Sequence, residues 1–238
     1  MREVLGVIPA RGGSRGVPRK NLVPLAGRPL LAYTCDAARQ SRRLTRIVLS
    51  TDDEAIAEAG RALGVEVPFL RPARLATDDT PMLDVLVDLL RGLEGREQYR
   101  PDVLVLLQPT SPCRTGAHID AAVDLLEASG AGAVVTVVPV PHAFTPGSLL
   151  RMEGDRVMPI EAGPTPTRRQ DKPRLFARNG PAVVAVRTPV VVEQGRLYAD
   201  DTRALVMSAE DSVDIDEPFD LLVAEAVLAR RAGEGAAR

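Results

Sequence analysis

Val4-Leu5-Gly6-Val7-Ile8-Pro9-Ala10-Arg11-Gly12-Gly13-Ser14-Arg15-Gly16-Val17-Pro18-Arg19-Lys20-Asn21-Leu22 decides how the chain reads. The apolar run Val4 to Ile8 predicts a first strand. The loop after it carries three glycines and four cations, Arg11, Arg15, Arg19 and Lys20. Glycine lets backbone N–H groups approach a ligand closely, so a strand feeding a cationic glycine loop is a phosphate-handling arrangement. Neither the P-loop nor the Gly-x-Gly-x-x-Gly dinucleotide pattern is present, and Pro18 and Pro24 keep a helix from starting at once. Lysine is not background here, because Lys20 and Lys172 are the only two in the chain.

Outward from this loop, apolar strands alternate with helical periodicity. Ile47 to Ser50 predicts a strand, with Thr51-Asp52 as the cap of a helix over Asp53 to Leu63. Thr80-Pro81 opens a helix to Leu93, with Pro81 at its first position. Val103 to Leu107 reads as a strand buried on both faces. Thr115 caps a helix to Ala128, and Val134 to Val138 is the next strand. This alternation predicts an α/β fold, a mainly parallel sheet with helices on both faces. Ligands in such sheets bind beyond the carboxyl ends of the strands, where the Arg11 to Lys20 loop, Ser50 to Asp53 and Gln108 to Thr115 fall.

Seven prolines break up the interval from Pro139 to Arg178, which reads as an excursion with short strands over Ser148 to Met152 and Arg156 to Met158. Strands resume at Ala182 to Val186 and Ala204 to Ser208, and a last helix covers Pro218 to Arg230. A single domain is expected over 1–231, with 139–180 as an inserted arm and 232–238 as a flexible tail.

Composition narrows the class. At 238 residues, 45% hydrophobic and net charge −2, the chain is neither disordered nor a nucleic-acid binder working by bulk charge. Aromatics at 3% supply no base-stacking platform. No apolar run approaches membrane-spanning length and no signal peptide precedes the first strand, so a cytoplasmic setting without membrane contact is expected. Cys35 and Cys113 show no metal spacing, and His118 and His142 are too few for a histidine-rich metal site.

Three further stretches carry chemistry. In Asp211-Ser-Val-Asp214-Ile-Asp216, extended backbone would place Asp214 and Asp216 on one face, suiting Mg²⁺ on nucleotide phosphates; the other reading is an acidic cap on the final helix. Gln108, in a loop stiffened by Pro109 and Pro112, has an amide suited to a nucleobase edge, against a plain connection with Arg114 solvated. The cluster Arg168-Arg169-Gln170-Asp171-Lys172-Pro173-Arg174 suits a substrate carboxylate or forms a solvated loop. Arg71, held by Pro72, serves a triphosphate or a surface carboxylate.

Together, Ile8-Pro-Ala-Arg-Gly-Gly-Ser-Arg-Gly, Arg19-Lys-Asn-Leu22, Ser50-Thr-Asp52, Leu70-Arg-Pro-Ala73, Leu107-Gln-Pro-Thr-Ser-Pro-Cys-Arg-Thr-Gly116, Asn179-Gly180 and Asp211 to Asp216 resemble the acylneuraminate cytidylyltransferases, also called CMP-sialic acid synthetases. The resemblance implies a Rossmann-like nucleotidyltransferase fold and a homodimer built through the arm. It implies that CTP and a 2-keto-3-deoxy sugar acid of the nonulosonic kind give a CMP-sugar and pyrophosphate. Carried over, Arg11, Gly12, Ser14, Arg15, Lys20, Asn21, Arg71 and Gln108 would bind the nucleotide. Gln108, Arg169, Asn179 and Tyr198 would bind the sugar, with Tyr198 reaching the partner's site. Asp214 and Asp216 would hold Mg²⁺, and Lys20, Arg11 and Asp216 would be catalytic. Arg15 stands where the family often has Lys, Met82 where small hydroxyl residues are common, and Val183 where Tyr is typical. The last departure puts the particular sugar in doubt. Rival readings are an eight-carbon keto-deoxy acid or a phosphonate as acceptor, or a sugar-nucleotide binding protein without turnover.

Overall fold

The computed structural model describes residues 2–14, 16–160, 168 and 172–236. Its centre is a seven-stranded sheet. The strands are β1 (Val4–Pro9), β4 (Arg46–Ser50), β5 (Val103–Leu106), β6 (Ala133–Pro139), β9 (Phe176–Arg178), β10 (Val184–Arg187) and β11 (Arg203–Val206). A hairpin of β2 (Pro24–Leu25) and β3 (Arg28–Pro29) and a second of β7 (Leu150–Glu153) and β8 (Arg156–Pro159) lie outside it. The sheet order is β11-β6-β10-β5-β1-β4, with β9 added along β6. β1 runs parallel to β4 and β5, and β11 parallel to β6. β10 is antiparallel to both β5 and β6, and β9 is antiparallel to β6. The sheet is therefore mainly parallel in strand direction, with β9 and β10 reversed.

The helices are α1 (Leu30–Gln40), α2 (Glu54–Ala62), α3 (Met82–Glu97), α4 (Gly116–Ser129), α5 (Thr188–Val192) and α6 (Pro218–Ala236). Alternate strand residues divide between two cores, as the period of two requires. Ile8, Val103, Val105 and Val134 pack with Leu31, Cys35, Ile119 and Val123 of α1 and α4. Leu5, Val7, Leu104 and Leu106 pack on the other face with Leu86, Leu89, Leu90 and Leu93 of α3. A third cluster, Leu25, Leu30, Ile215 and Ala224, joins α6 to the small hairpin and to the segment before α6.

Several boundaries differ from the sequence reading, each for a local reason. Asp53, not Thr51-Asp52, caps α2 by accepting from Ile56 N–H at 3.0 Å. Pro81 is the N-cap of α3 rather than its first residue, and that helix continues past Leu93 to Glu97. Thr115 does cap α4, and His118 Nδ1 completes the box by accepting from Thr115 N–H at 3.1 Å. α6 runs on to Ala236, where an end at Arg230 and a tail from 232 were expected. In the arm, the two expected short strands form the β7–β8 hairpin, while β9 had no sequence signal.

Candidate active site

The loop after β1, the turn after β4 and the loop after β5 meet at the carboxyl ends of their strands. The β1 loop is held from inside: Asn21 is buried and its Nδ2 donates to Arg11 O at 2.9 Å. Gly12 N–H donates to Asp52 Oδ1 at 3.0 Å, so this amide already has an anionic partner. A side chain on Gly16 would put its Cβ 2.1 Å from Asp216 O, so the loop lies against the segment carrying that carboxylate.

Lys20 closes the contact from the other side. Its Nζ donates to Ile215 O at 2.7 Å and lies 3.2 Å from Asp216 Oδ1. Arg11 pairs with Asp78, Nη2 to Oδ1 at 2.5 Å. Arg71 is buried, donating from Nε to Ser50 Oγ at 3.2 Å and from Nη2 to Ser50 O at 2.5 Å. Burial pushes its pKa down. A cavity of about 240 Å³ is lined by Arg11, Lys20, Asn21, Arg71, Gln108 and Asp216, with Ser14 and Met82 also on its wall. It adjoins a wider opening of about 380 Å³ that shares Arg11, Ser14, Lys20 and Asp216 and adds Asp78.

Asp214 and Asp216 flank Ile215, which is fully buried and whose N–H donates to Thr110 O at 2.8 Å. Around that anchor Asp216 is exposed and Asp214 half-buried. Burial raises the Asp214 pKa, hydrogen bonding from Thr110 opposes it, and the charge on Asp216 raises it further. The acidic-cap role belongs to Asp220, whose carboxylate accepts from the N–H groups of Asp216 and Glu217 at 2.8 Å each.

This geometry is a cationic loop and the Asp216 carboxylate around one cavity at strand ends, with Asp214 two residues away and outside its lining. A family profile described as Cytidylyltransferase matches residues 5–152. The chain belongs to the cytidylyltransferase family. It is 34% identical over 233 residues to the CMP-N,N'-diacetyllegionaminic acid synthase of Legionella pneumophila, covering 94% of this chain and 96% of that one. It is 33% identical to N-acylneuraminate cytidylyltransferase A of Danio rerio, covering 94% of this chain and 50% of that one. Among solved structures, a CMP:2-keto-3-deoxy-manno-octonic acid synthetase complexed with CTP superposes with a TM-score of 0.72 at 19% identity. The superposition covers 96% of this chain and 99% of that chain, and it shows the shared fold.

In this cytidylyltransferase the expected nucleotide residues Arg11, Ser14, Lys20, Asn21, Arg71 and Gln108 all line the cavity. Arg15 and Arg169 lie outside the described residues. Asn179 is buried off that cavity; its Nδ2 donates to Ser212 Oγ at 2.8 Å and contacts Met207 Sδ at 3.3 Å, while its Oδ1 has no partner. Tyr198 packs against the α3-side core, with the Arg178 guanidinium 5.1 Å from its ring centre. Val183 is fully buried, its N–H donating to Thr136 Oγ1 and its carbonyl accepting from Thr136 N–H, so its side chain packs in the core and presents nothing to a sugar.

Arg114 does not match the alternative reading of its loop, in which it is solvated. It is 3% exposed, and burial pushes its pKa down to about 10. It donates to Thr34 Oγ1 at 2.6 Å, Ser111 O at 3.0 Å and Gln108 O at 3.1 Å, clamping the Gln108 loop from below. Ser111 in turn donates to Asp214 Oδ1 at 3.3 Å. The positioning roles of Asp52, Ser111 and Arg114 have no local sequence signal. Gly180 had one: its positive φ of 56° and a Cβ that would sit 2.1 Å from Asp214 Oδ2 match the Asn-Gly turn. Both thiols are buried, their pKa values pushed up to about 12 for Cys35 and about 11 for Cys113, which leaves them unreactive.

Proposed function

We propose that this enzyme uses CTP to activate a nonulosonic 2-keto-3-deoxy sugar acid, giving the CMP-sugar and pyrophosphate. The observation that carries the reading is the convergence of Arg11, Lys20 and Asp216 on the cavity that also holds Gln108 and Arg71. The anomeric 2-hydroxyl of the acid attacks the α-phosphorus of CTP, and the bond to the bridging oxygen of pyrophosphate breaks. Charge builds on the phosphate oxygens, which Lys20 and Arg11 on the cavity wall would stabilise. Asp216 is exposed at the cavity and serves as acceptor for the hydroxyl proton. Gln108, on a loop clamped by Arg114, orients nucleotide or sugar from a fixed backbone.

The carboxylate pair fits Mg²⁺. Asp214 is half-buried, and burial first and then the charge on Asp216 raise its pKa; such a pair is relieved by a dication. Mg²⁺ commonly takes one or two carboxylates and completes its shell with phosphates and water. Held by Asp214 and Asp216, it would neutralise phosphate charge and lower the pKa of the attacking hydroxyl.

A homodimer is part of the proposal. The β7–β8 hairpin pairs Met152 with Val157 and Leu150 with Pro159, and Leu150, Met152 and Val157 are 55%, 69% and 57% exposed. An isolated two-stranded hairpin is marginal in water, so this apolar face calls for a cover, which a second copy supplies. We place the enzyme in the cytoplasm, where CTP is made; among the described residues no helix is long and apolar enough to cross a membrane.

Pyrophosphate release from CTP, measured against a panel of keto-sugar acids with and without Mg²⁺, tests the reading. A nonulosonic acid should stimulate release only with the metal. Stimulation solely by an eight-carbon acid or a phosphonate would reassign the acceptor, and CTP binding with no stimulation by any acceptor would make this a binding protein.

A further inference from the structure

The cavity and the wider opening beside it share Arg11, Ser14, Lys20 and Asp216. The charged end of a nucleotide belongs in that shared part, where the cations face it. The other end of the cavity is lined by Pro9, Arg71, Met82, Gln108, Pro109 and Thr110, none of which reaches the wider opening. On the CTP reading this end receives the base. Its side-chain donors are largely committed: Arg71 spends Nε and Nη2 on Ser50, and Asn21 Nδ2 goes to Arg11 O. The Gln108 amide is held loosely, its Oε1 accepting from Thr110 Oγ1 at 3.5 Å, and a carboxamide turned end for end presents a donor or an acceptor. Shape is what these side chains have to set against a larger base.

The apolar wall at this end is Pro9, Pro109 and Met82. Both prolines are buried rings fixed in the backbone, one ending β1 and the other on the Gln108 loop. Met82 differs from them. It is the first residue of α3, packed against the α3-side core at its root and half-buried, so its unbranched thioether also lines the cavity. Such a side chain fills irregular space closely, and its sulfur packs well against an aromatic ring. The cavity holds about 240 Å³, below the roughly 300–1,000 Å³ usual for ligand pockets, so volume at this wall is felt.

We propose that Met82 is a specificity-determining residue for the base: its side chain fills the space that a purine's second ring would need, so the cavity accepts a pyrimidine nucleotide and refuses a purine one. The proposal rests on the CTP reading above and adds to it the group that selects by size. Truncation to Ala removes Cγ, Sδ and Cε, as many heavy atoms as the second ring of a purine adds. A misfit of a single methylene in a pocket is already worth roughly tenfold or more in discrimination.

Isothermal titration of CTP and ATP into the full chain, with Mg²⁺ present, tests it in wild type, Met82→Ala, Met82→Ser and Met82→Leu, with melting temperatures measured alongside. Two truncations are used so that a loss of folding in one leaves the other to decide. Wild type should prefer CTP to ATP by at least about tenfold. Either truncation should shrink that preference about tenfold, through tighter ATP binding, while Met82→Leu, which nearly keeps the volume, should retain it. The proposal is overturned if folded truncations keep the wild-type preference, or if they weaken both nucleotides alike, which would reduce Met82 to a packing role. A wild type that binds ATP as well as CTP, or a leucine variant as permissive as the truncations, overturns it too. A wild type binding neither nucleotide would instead overturn the CTP reading itself.

Discussion

Lys20 Nζ donates to Ile215 O at 2.7 Å and stands 3.2 Å from Asp216 Oδ1, so residues nearly two hundred positions apart act as one unit. The lysine pins the segment that bears both carboxylates while remaining on the cavity wall. If Asp214 and Asp216 hold the proposed metal, this contact fixes it relative to the cationic loop.

Lys20→Ala should lower kcat/KM by about 100-fold, roughly 3 kcal/mol of transition-state stabilisation. Lys20→Arg should rescue little, because a planar fork does not reproduce a point donor against Ile215 O. Steady-state pyrophosphate release measures both. Near-normal turnover in the alanine variant would remove Lys20 from the chemistry.

Asp214→Asn should inactivate the enzyme and yet stabilise it. Burial raises the Asp214 pKa in the folded chain, so the folded state binds its proton more tightly than the unfolded state. Stability is therefore lost as pH rises from the ordinary carboxylate range through the raised value, and is not regained above it. The variant escapes this loss. In metal-free buffer at pH 7 it should melt about 2 °C higher than wild type, with the gap closing toward pH 4. Calorimetry across that range decides; a lower melting point at neutral pH would contradict the assigned strain.

Arg114→Met should destabilise the fold by about 3 kcal/mol, because it strips donors from Gln108 O, Ser111 O and Thr34 Oγ1 at a buried site. Arg114→Lys should recover only part of this, having no planar fork to reach three acceptors. Urea unfolding gives the numbers. A loss under about 0.5 kcal/mol in the methionine variant would mean the clamp carries no load.

Val183→Tyr should leave acceptor preference unchanged while costing about 2 kcal/mol of stability by overpacking a fully buried position. Comparing kcat/KM across the acceptor panel is the check. A switch in preferred acid would show that this position does reach the sugar.

The features legible in sequence are those governed by local rules. The apolar run of β1, the Thr115 cap of α4, the alternation of Asp214 and Asp216 about Ile215, and the glycine loop each follow from neighbours within a few residues. The reversal of β10 was not legible, since a short buried apolar run carries no mark of its direction or partners. Nor was the burial of Arg114 or of Val183. Charge suggested solvent for the first, and a gap in a motif suggested ligand for the second.

By itself, then, the sequence determined an α/β chain whose first strand feeds a cationic glycine loop and whose late segment buries Ile215 between two aspartates. Tertiary structure alone decided that Lys20 meets Asp216, that Arg11 meets Asp78, and that Arg114 lies beneath Gln108 rather than in water. The physical reason is the range of the forces. Periodicity, capping and backbone sterics act over a few residues, whereas these ion pairs and the buried guanidinium exist only where packing brings distant strand ends together.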